Sequence, residues 1–379
     1  MTSKMRSPKI NSIHITDPLF GRYVRLVAER IVPYQWEVLN DRVEGAKKSF
    51  CIENFRIAAG EKQGVHQGVV FCDTDAYKWL EAVSYCLAAG AAREYEQTAD
   101  TLIDLIGRAQ QPDGYLNTYY TIAHPEERWQ NLCEGHELYS GGHMIEAAVA
   151  YYNATGKATF LNIARRFADL ICRVFGPGEA QCKGYPGHQE IELALVKLYR
   201  VTGEERYLAL ARYFIQERGK APNYLLQERI SCGEHGIFSE FASYDEVYAQ
   251  TYAPPVEQES AEGHAVRAMY MYCAMADIAQ ECGDEALKDA CLKLWESVTK
   301  RRMYITGGIG SSGFWERFTT DYDLPNDSNY CESCASVGLM MFGSRMAMLM
   351  RDASYYDTVE RALCNNVLAG IAVSGDRYF

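Results

Sequence analysis

Basic charge is in short supply in this 379-residue chain: 38 Lys and Arg stand against 50 Asp and Glu, a net charge of −12. A nucleic-acid binder needs a basic face to displace counterions, so that partner is excluded. Long hydrophobic runs are missing as well. No stretch approaches the roughly 18 uncharged apolar residues of a membrane span, so no membrane partner is expected. The opening residues, Met1 to Pro8, hold no apolar core of an export signal, and the expectation is a cytoplasmic protein. Strand signal is sparse, limited to short pieces such as 303–306. The glycine-rich run Ile305 to Ser312 lacks the Gly-Lys-Ser/Thr ending of a phosphate loop and reads as a connection between helices.

Cysteine and tyrosine, by contrast, are plentiful. The thirteen cysteines are odd in number and sit in a long chain, which argues against a disulfide framework and for small apolar residues in a reducing compartment. The 27 tyrosines outnumber all other aromatics together. Rings with a polar tip suit a sugar-lined cleft, and they equally suit packing between helices.

An internal repeat organises the chain. Thr155-Gly156-x-x-x-Phe160-Leu161-x-Ile163-Ala164-Arg165 recurs as Thr202-Gly203-x-x-x-Tyr207-Leu208-x-Leu210-Ala211-Arg212. The run from Ile191 to Tyr199 is apolar on nearly every side, as a buried helix should be, whereas 204–218 carries charge on one face. Gly203 and Gly219 are placed to end these helices in left-handed caps. Similar pairs are expected at 74–89 with 95–109, 143–152 with 160–174, 265–280 with 285–303, and 335–350 with 355–368, after an opening helix near 22–39. An apolar inner helix followed by an amphipathic outer one, repeated, predicts an all-α fold. The expected architecture is an (α/α)6 toroid forming a single domain over 1–379, with an open α-solenoid as the competitor.

Three inner helices are expected to begin with Gly-His: Gly142-His143, Gly187-His188 and Gly263-His264. Inner helices of a toroid run parallel, so their N-termini converge on one mouth. The positive helix ends there would favour neutral imidazoles, which both donate and accept hydrogen bonds. Each histidine could instead cap or pack its own helix. A shared pocket of this chemistry would suit a polyhydroxylated ligand better than a phosphate.

The densest chemistry lies at 305–334. In Trp315-Glu316, an indole beside a carboxylate is expected to raise its pKa by desolvation, as a general acid requires. Cys331-x-x-Cys334 has zinc-ligand spacing, and Glu332 between them could add an oxygen. With thirteen cysteines roughly 0.4 such pairs arise by chance, and neither a second Cys-x-x-Cys nor a His-x-x-x-His supports this one.

The run YDLPNDSNYCESCASVGLMMFGSRM (322–346) resembles the signature of glycoside hydrolase family 127, the β-L-arabinofuranosidase family. Supporting matches include PYQWEVLND (33–41), DTDAYKWLEA (73–82), RAQQPDGYLNTYY (108–120) and HELYSGGHMIEAAVAYYNATG (136–156). Others are PGHQEIELALVKLYRVTG (186–203), EGHAVRAMYMYCAMADIA (262–279), ITGGIGSS (305–312) and ERALCNNVLAG (360–370). The resemblance implies an (α/α)6 catalytic barrel and a retaining hydrolase whose nucleophile is a zinc-bound cysteine. Its substrate would be an L-arabinofuranoside-containing oligosaccharide or glycoconjugate. By motif, Glu316 matches the acid/base, Glu332 and Cys334 match zinc ligands, and His143, His188, His264 and Glu360 match sugar-contacting residues. Cys331 matches no ligand position.

One implied element is not found. The family's nucleophile and remaining cysteine ligand form a Cys-Cys-Pro segment, and no Cys-Cys pair occurs in these 379 residues. Ser374-Gly375-Asp376-Arg377 reads as a hairpin turn with little returning strand. The expectation is therefore a chain lacking the last barrel helix and the downstream β-sandwich domains, inactive by itself, with a complementing C-terminal polypeptide or a homodimer as partner. Rival readings are another toroid sugar enzyme (an epimerase or unsaturated-uronide hydrolase), a non-catalytic sugar-binding fragment, and one half of a two-chain enzyme. Prenyl-transfer toroids also use zinc, but their Asp-rich motif is absent.

Overall fold

The computed structural model describes residues 4–232, 236–238 and 244–378. Among them the structure is all-α, with isolated bridges such as Met303 to Ile309 and no strand, so the piece at 303–306 forms a single bridge only. The helices are α1 (Pro18–Leu26), α2 (Val32–Leu39), α3 (Cys51–Ala58), α4 (Asp73–Ala88), α5 (Glu96–Ala109), α6 (Thr118–Ala123), α7 (Glu137–Thr155) and α8 (Thr159–Val174). They continue as α9 (Ile191–Thr202), α10 (Glu205–Glu217), α11 (Tyr224–Cys232), α12 (Ala265–Cys282), α13 (Glu285–Arg301), α14 (Ser333–Met350) and α15 (Tyr355–Ala362).

Helices α4, α7, α9, α12 and α14 pack side by side in chain order, and each is backed by the amphipathic helix that ends its hairpin. This is the inner and outer layering of an α/α toroid. The repeat explains it locally. In α9, Leu193, Ala194, Leu195, Val196 and Leu198 are all buried, while α10 buries Tyr207, Leu208, Leu210, Ala211, Phe214 and Ile215 on one face. Each large side chain so buried contributes roughly 1.5–3 kcal/mol. At the turns, the two copies repeat atom by atom. Thr155 and Thr202 donate their hydroxyls to Tyr151 and Leu198 carbonyls, and the following Gly156 and Gly203 adopt φ of 76° and 73°. Gly219 is also left-handed, two residues past the end of α10.

Residues 363–378 lie against α1 and the turn at 27–31 that leads into α2. Tyr23 donates to the Leu368 carbonyl, and Gly375 sits against Leu26, Arg30 and Ile31. The expected turn forms there: the Ala372 amide donates to Arg377 at 3.0 Å, and Ile371 bridges Tyr378.

Ion pairs staple the far ends of the inner helices. Asp277 of α12 receives Arg345 of α14 at 2.6 Å and Arg200 of α9 at 2.9 Å. Burial acts to raise the Asp277 pKa, but the two guanidiniums outweigh it and hold the group below its ordinary value. Glu281, one turn on, takes Arg200 at 2.7 Å together with Lys4 and Arg6 of the N-terminal segment. Helix α14 is long and apolar enough to cross a membrane, yet it carries Arg345 in this pair and packs as an inner helix.

Candidate active site

At the opposite end of the inner helices a cavity of about 730 Å³ opens. Several elements build it: Lys78 comes from α4, His136 and Tyr139 from the start of α7, His188 from the segment before α9, and His264, Arg267 and Tyr270 from the start of α12. Trp315 and Glu316 come from the 305–332 connection, and Glu332 and Cys334 from the start of α14.

Two of the three Gly-His pairs sit where expected. His264 is the N-cap of α12, and His188 lies just before α9. The third does not. Helix α7 begins earlier, at Glu137, so His143 lies nearly two turns inside it, buried in a second layer below Tyr139 (ring centroids 4.6 Å apart). His136, left-handed at φ 55°, takes the place at the mouth. The glycines have a steric reason of their own. A Cβ on Gly187 would meet the Cys133 carbonyl, and one on Gly263 the Val247 carbonyl.

Burial is the main cause that keeps the imidazoles neutral. Burial and the nearby Arg267 charge lower His136 to about 3 and His188 well below its ordinary range, and burial likewise lowers His264 and His143. Hydrogen bonds fix the tautomers. His264 Nδ1 accepts from the Arg267 amide, so Nε2 carries the hydrogen and donates to Glu316 Oε2 at 3.1 Å. His136 and His188 donate Nδ1–H to the Glu134 and Gln189 carbonyls at 2.5 and 2.8 Å, leaving both Nε2 atoms as acceptors.

Glu316 stands at the tip of a tight loop. The Ser312 and Arg317 backbones exchange hydrogen bonds of 3.2 and 3.1 Å, Phe318 donates to the Gly263 carbonyl, and Arg317 pairs with Asp245 at 3.0 Å. Within this clamp Trp315 and Glu316 both adopt positive φ, 56° and 53°. Such strain in non-glycine residues persists only where surrounding contacts over-determine it. The expected upward pKa shift of Glu316 is reversed. The His264 hydrogen bond lowers it, desolvation opposes, and the Tyr330 hydroxyl at 2.7 Å lowers it further. Burial does act to raise the carboxyl, but the two donors outweigh it. Glu332 goes the other way, raised to about 7 by burial and then by the Glu316 charge. The cavity thus holds two carboxyls with opposed proton affinities.

Glu332 and Cys334 are neighbours: the Cys334 thiol is hydrogen-bonded to the Glu332 carboxyl, whose Oε1 is buried without a protein partner. An orphaned oxygen beside a thiol fits half of a four-coordinate zinc shell. Among the described residues no group of three or more His, Cys, Asp and Glu could hold a metal. Cys331 does not join them. It is buried under Gly308, with its thiol pushed up to about 11 by burial. Glu360 is exposed on α15 and does not line the cavity. Residue-level reading of the sequence missed His136, Tyr139, Lys78, Arg267 and Tyr270, although all lie inside the runs 73–82, 136–156 and 262–279.

Fold and cavity together define the class: an α/α toroid with carboxyls, neutral imidazoles and aromatic rings gathered at one mouth. The profile of the "beta-L-arabinofuranosidase, GH127 catalytic domain" matches residues 12–379, and the chain belongs to that family. It is 40% identical to a non-reducing end β-L-arabinofuranosidase of Bifidobacterium longum subsp. longum, over 97% of this chain and 58% of that protein. A crystal structure of a GH127 β-L-arabinofuranosidase from Geobacillus stearothermophilus T6 is 55% identical, with a TM-score of 0.93 over 97% of this chain and 57% of that one. A further GH127 β-arabinofuranosidase structure is 38% identical with a TM-score of 0.85, over 98% and 56% of the two chains. The chain therefore spans a little over half the length of these relatives.

Proposed function

We propose that the chain is the toroid part of a retaining glycosidase that releases a terminal β-L-arabinofuranose from an oligosaccharide or glycoconjugate. The observation that carries this reading is the convergence of Glu316, Glu332, Cys334, His188 and His264 on one cavity in a GH127 chain. Glu316 acts as acid/base: it takes up a proton, delivers it to the leaving glycosidic oxygen, and as carboxylate later accepts one from the attacking water. His264 and Tyr330 aim it. The acceptor nitrogens of His136 and His188 receive sugar hydroxyls. Glu332 and Cys334 would hold a zinc ion, which when bound favours thiolate over thiol. Without it, burial and then the Glu332 charge raise the Cys334 pKa.

Among the described residues Cys334 is the one cysteine lining the cavity. In this reading it is a ligand, and the nucleophile comes from a Cys-Cys-Pro segment outside these 379 residues, so the chain alone has little turnover. Incubation of the purified chain and zinc with an aryl β-L-arabinofuranoside tests this. Turnover should appear only on adding a polypeptide that carries Cys-Cys-Pro, and robust turnover by the chain alone would refute the external nucleophile.

A further inference from the structure

We infer that Trp315 and Phe314 form the leaving-group subsite, a flat aromatic strip that selects aglycones carrying a ring. The inference rests on the proposed acid role of Glu316 and deepens it. A general acid must lie within hydrogen-bond reach of the oxygen it protonates. The group attached to that oxygen therefore leaves on the Glu316 side of the cavity.

Aromatic rings occupy that side. Trp315 precedes Glu316 in the clamped loop and lines the cavity, with its ring edge-on to Tyr248 at 5.4 Å. Phe314 lies outside the cavity lining, stacked on Trp315 with ring centroids 4.8 Å apart and planes 16° apart. It is 66% exposed. The two rings make a continuous surface running from the carboxyl that releases the aglycone out to solvent. The backbone is held for this purpose: consecutive left-handed residues at 315 and 316 turn the indole and the carboxyl toward the same cavity, and the Ser312–Arg317 pair fixes the turn. Phe314 packs no core, and a large exposed apolar ring at the rim of a binding cavity marks a contact surface. The strip carries no charge, so it suits the C–H face of a second sugar ring or an aryl group, and it offers a methyl aglycone almost nothing.

The test compares binding of methyl β-L-arabinofuranoside and of a β-L-arabinofuranosyl disaccharide by calorimetry on this chain. The disaccharide should bind more tightly. Phe314→Ala should reduce that preference about three- to tenfold, the size of one ring-stacking contact, and Phe314→Tyr should retain it. Phe314 is exposed, so the substitution should leave the fold intact, and a thermal melt checks this directly. A preference unchanged in Phe314→Ala, or equal loss for both sugars, would overturn the subsite. If the unaltered chain binds neither sugar, the functional reading beneath it falls instead.

Discussion

The two ends of the inner helices are built on different principles. At the far end, short-range rules and ion pairs close the structure. Thr-Gly turns cap α7 and α9 in identical fashion, and Arg200, Asp277, Arg345 and Glu281 tie three inner helices together. At the mouth, polar groups are left partly unsatisfied: Glu332 Oε1 and, in the layer beneath, His143 Nε2 have no protein partner. Two residues in a row take left-handed backbone, and carboxyls sit near one another with opposed proton affinities. One end holds the ring; the other holds the unmet hydrogen-bonding capacity that a ligand can satisfy.

Substitutions at each end should separate stability from binding. Asp277→Ala leaves Arg345 without its carboxylate in the core, while Arg200 keeps Glu281, and should destabilise the chain by about 3–5 kcal/mol, read as a lowered urea midpoint. Acid should act on the same end. Asp277 is held below its ordinary pKa, and Arg6 and Arg200 outweigh burial to hold Glu281 at about 2. A depressed carboxyl stabilises above its unfolded pKa, so this contribution should be intact near neutrality and lost as pH falls from about 4.5 toward 2. Unfolding monitored by circular dichroism across that window checks the sign.

Smaller effects follow. His188→Ala should weaken methyl β-L-arabinofuranoside binding by up to about tenfold, the worth of one hydrogen bond, with little change in melting temperature. Gly203→Ala should cost about 1 kcal/mol, because an added Cβ there meets no atom within 4 Å and only the left-handed backbone is strained. Tyr330→Phe removes a donor from Glu316 and should raise that carboxyl's pKa, visible by carbon NMR, without moving stability measurably.

Helix pairs and their caps were legible because their causes are local. The apolar face of α10 and the left-handed glycines at 203 and 219 follow from spacing and from glycine's freedom. Glu316, Glu332 and Cys334 were found through a family signature, since three residues 16 and 2 positions apart share a cavity only after a long connection folds back. His143 was mistaken for a mouth residue because α7 starts at Glu137, before its apolar pattern does. The pKa direction of Glu316 was misread because the indole is its sequence neighbour, whereas its donors His264 and Tyr330 arrive through tertiary structure. The ion pairs at the far end were invisible for the same reason: Arg200, Asp277 and Arg345 are far apart in sequence.

Cys334 at the mouth and Cys282 at the far end of α12 are both exposed thiols. Their alkylation rates, measured by peptide mass spectrometry with and without methyl β-L-arabinofuranoside, test most directly which end binds sugar. Slower modification of Cys334 with no change at Cys282 is the predicted result. An unchanged rate at Cys334 in saturating sugar would contradict it.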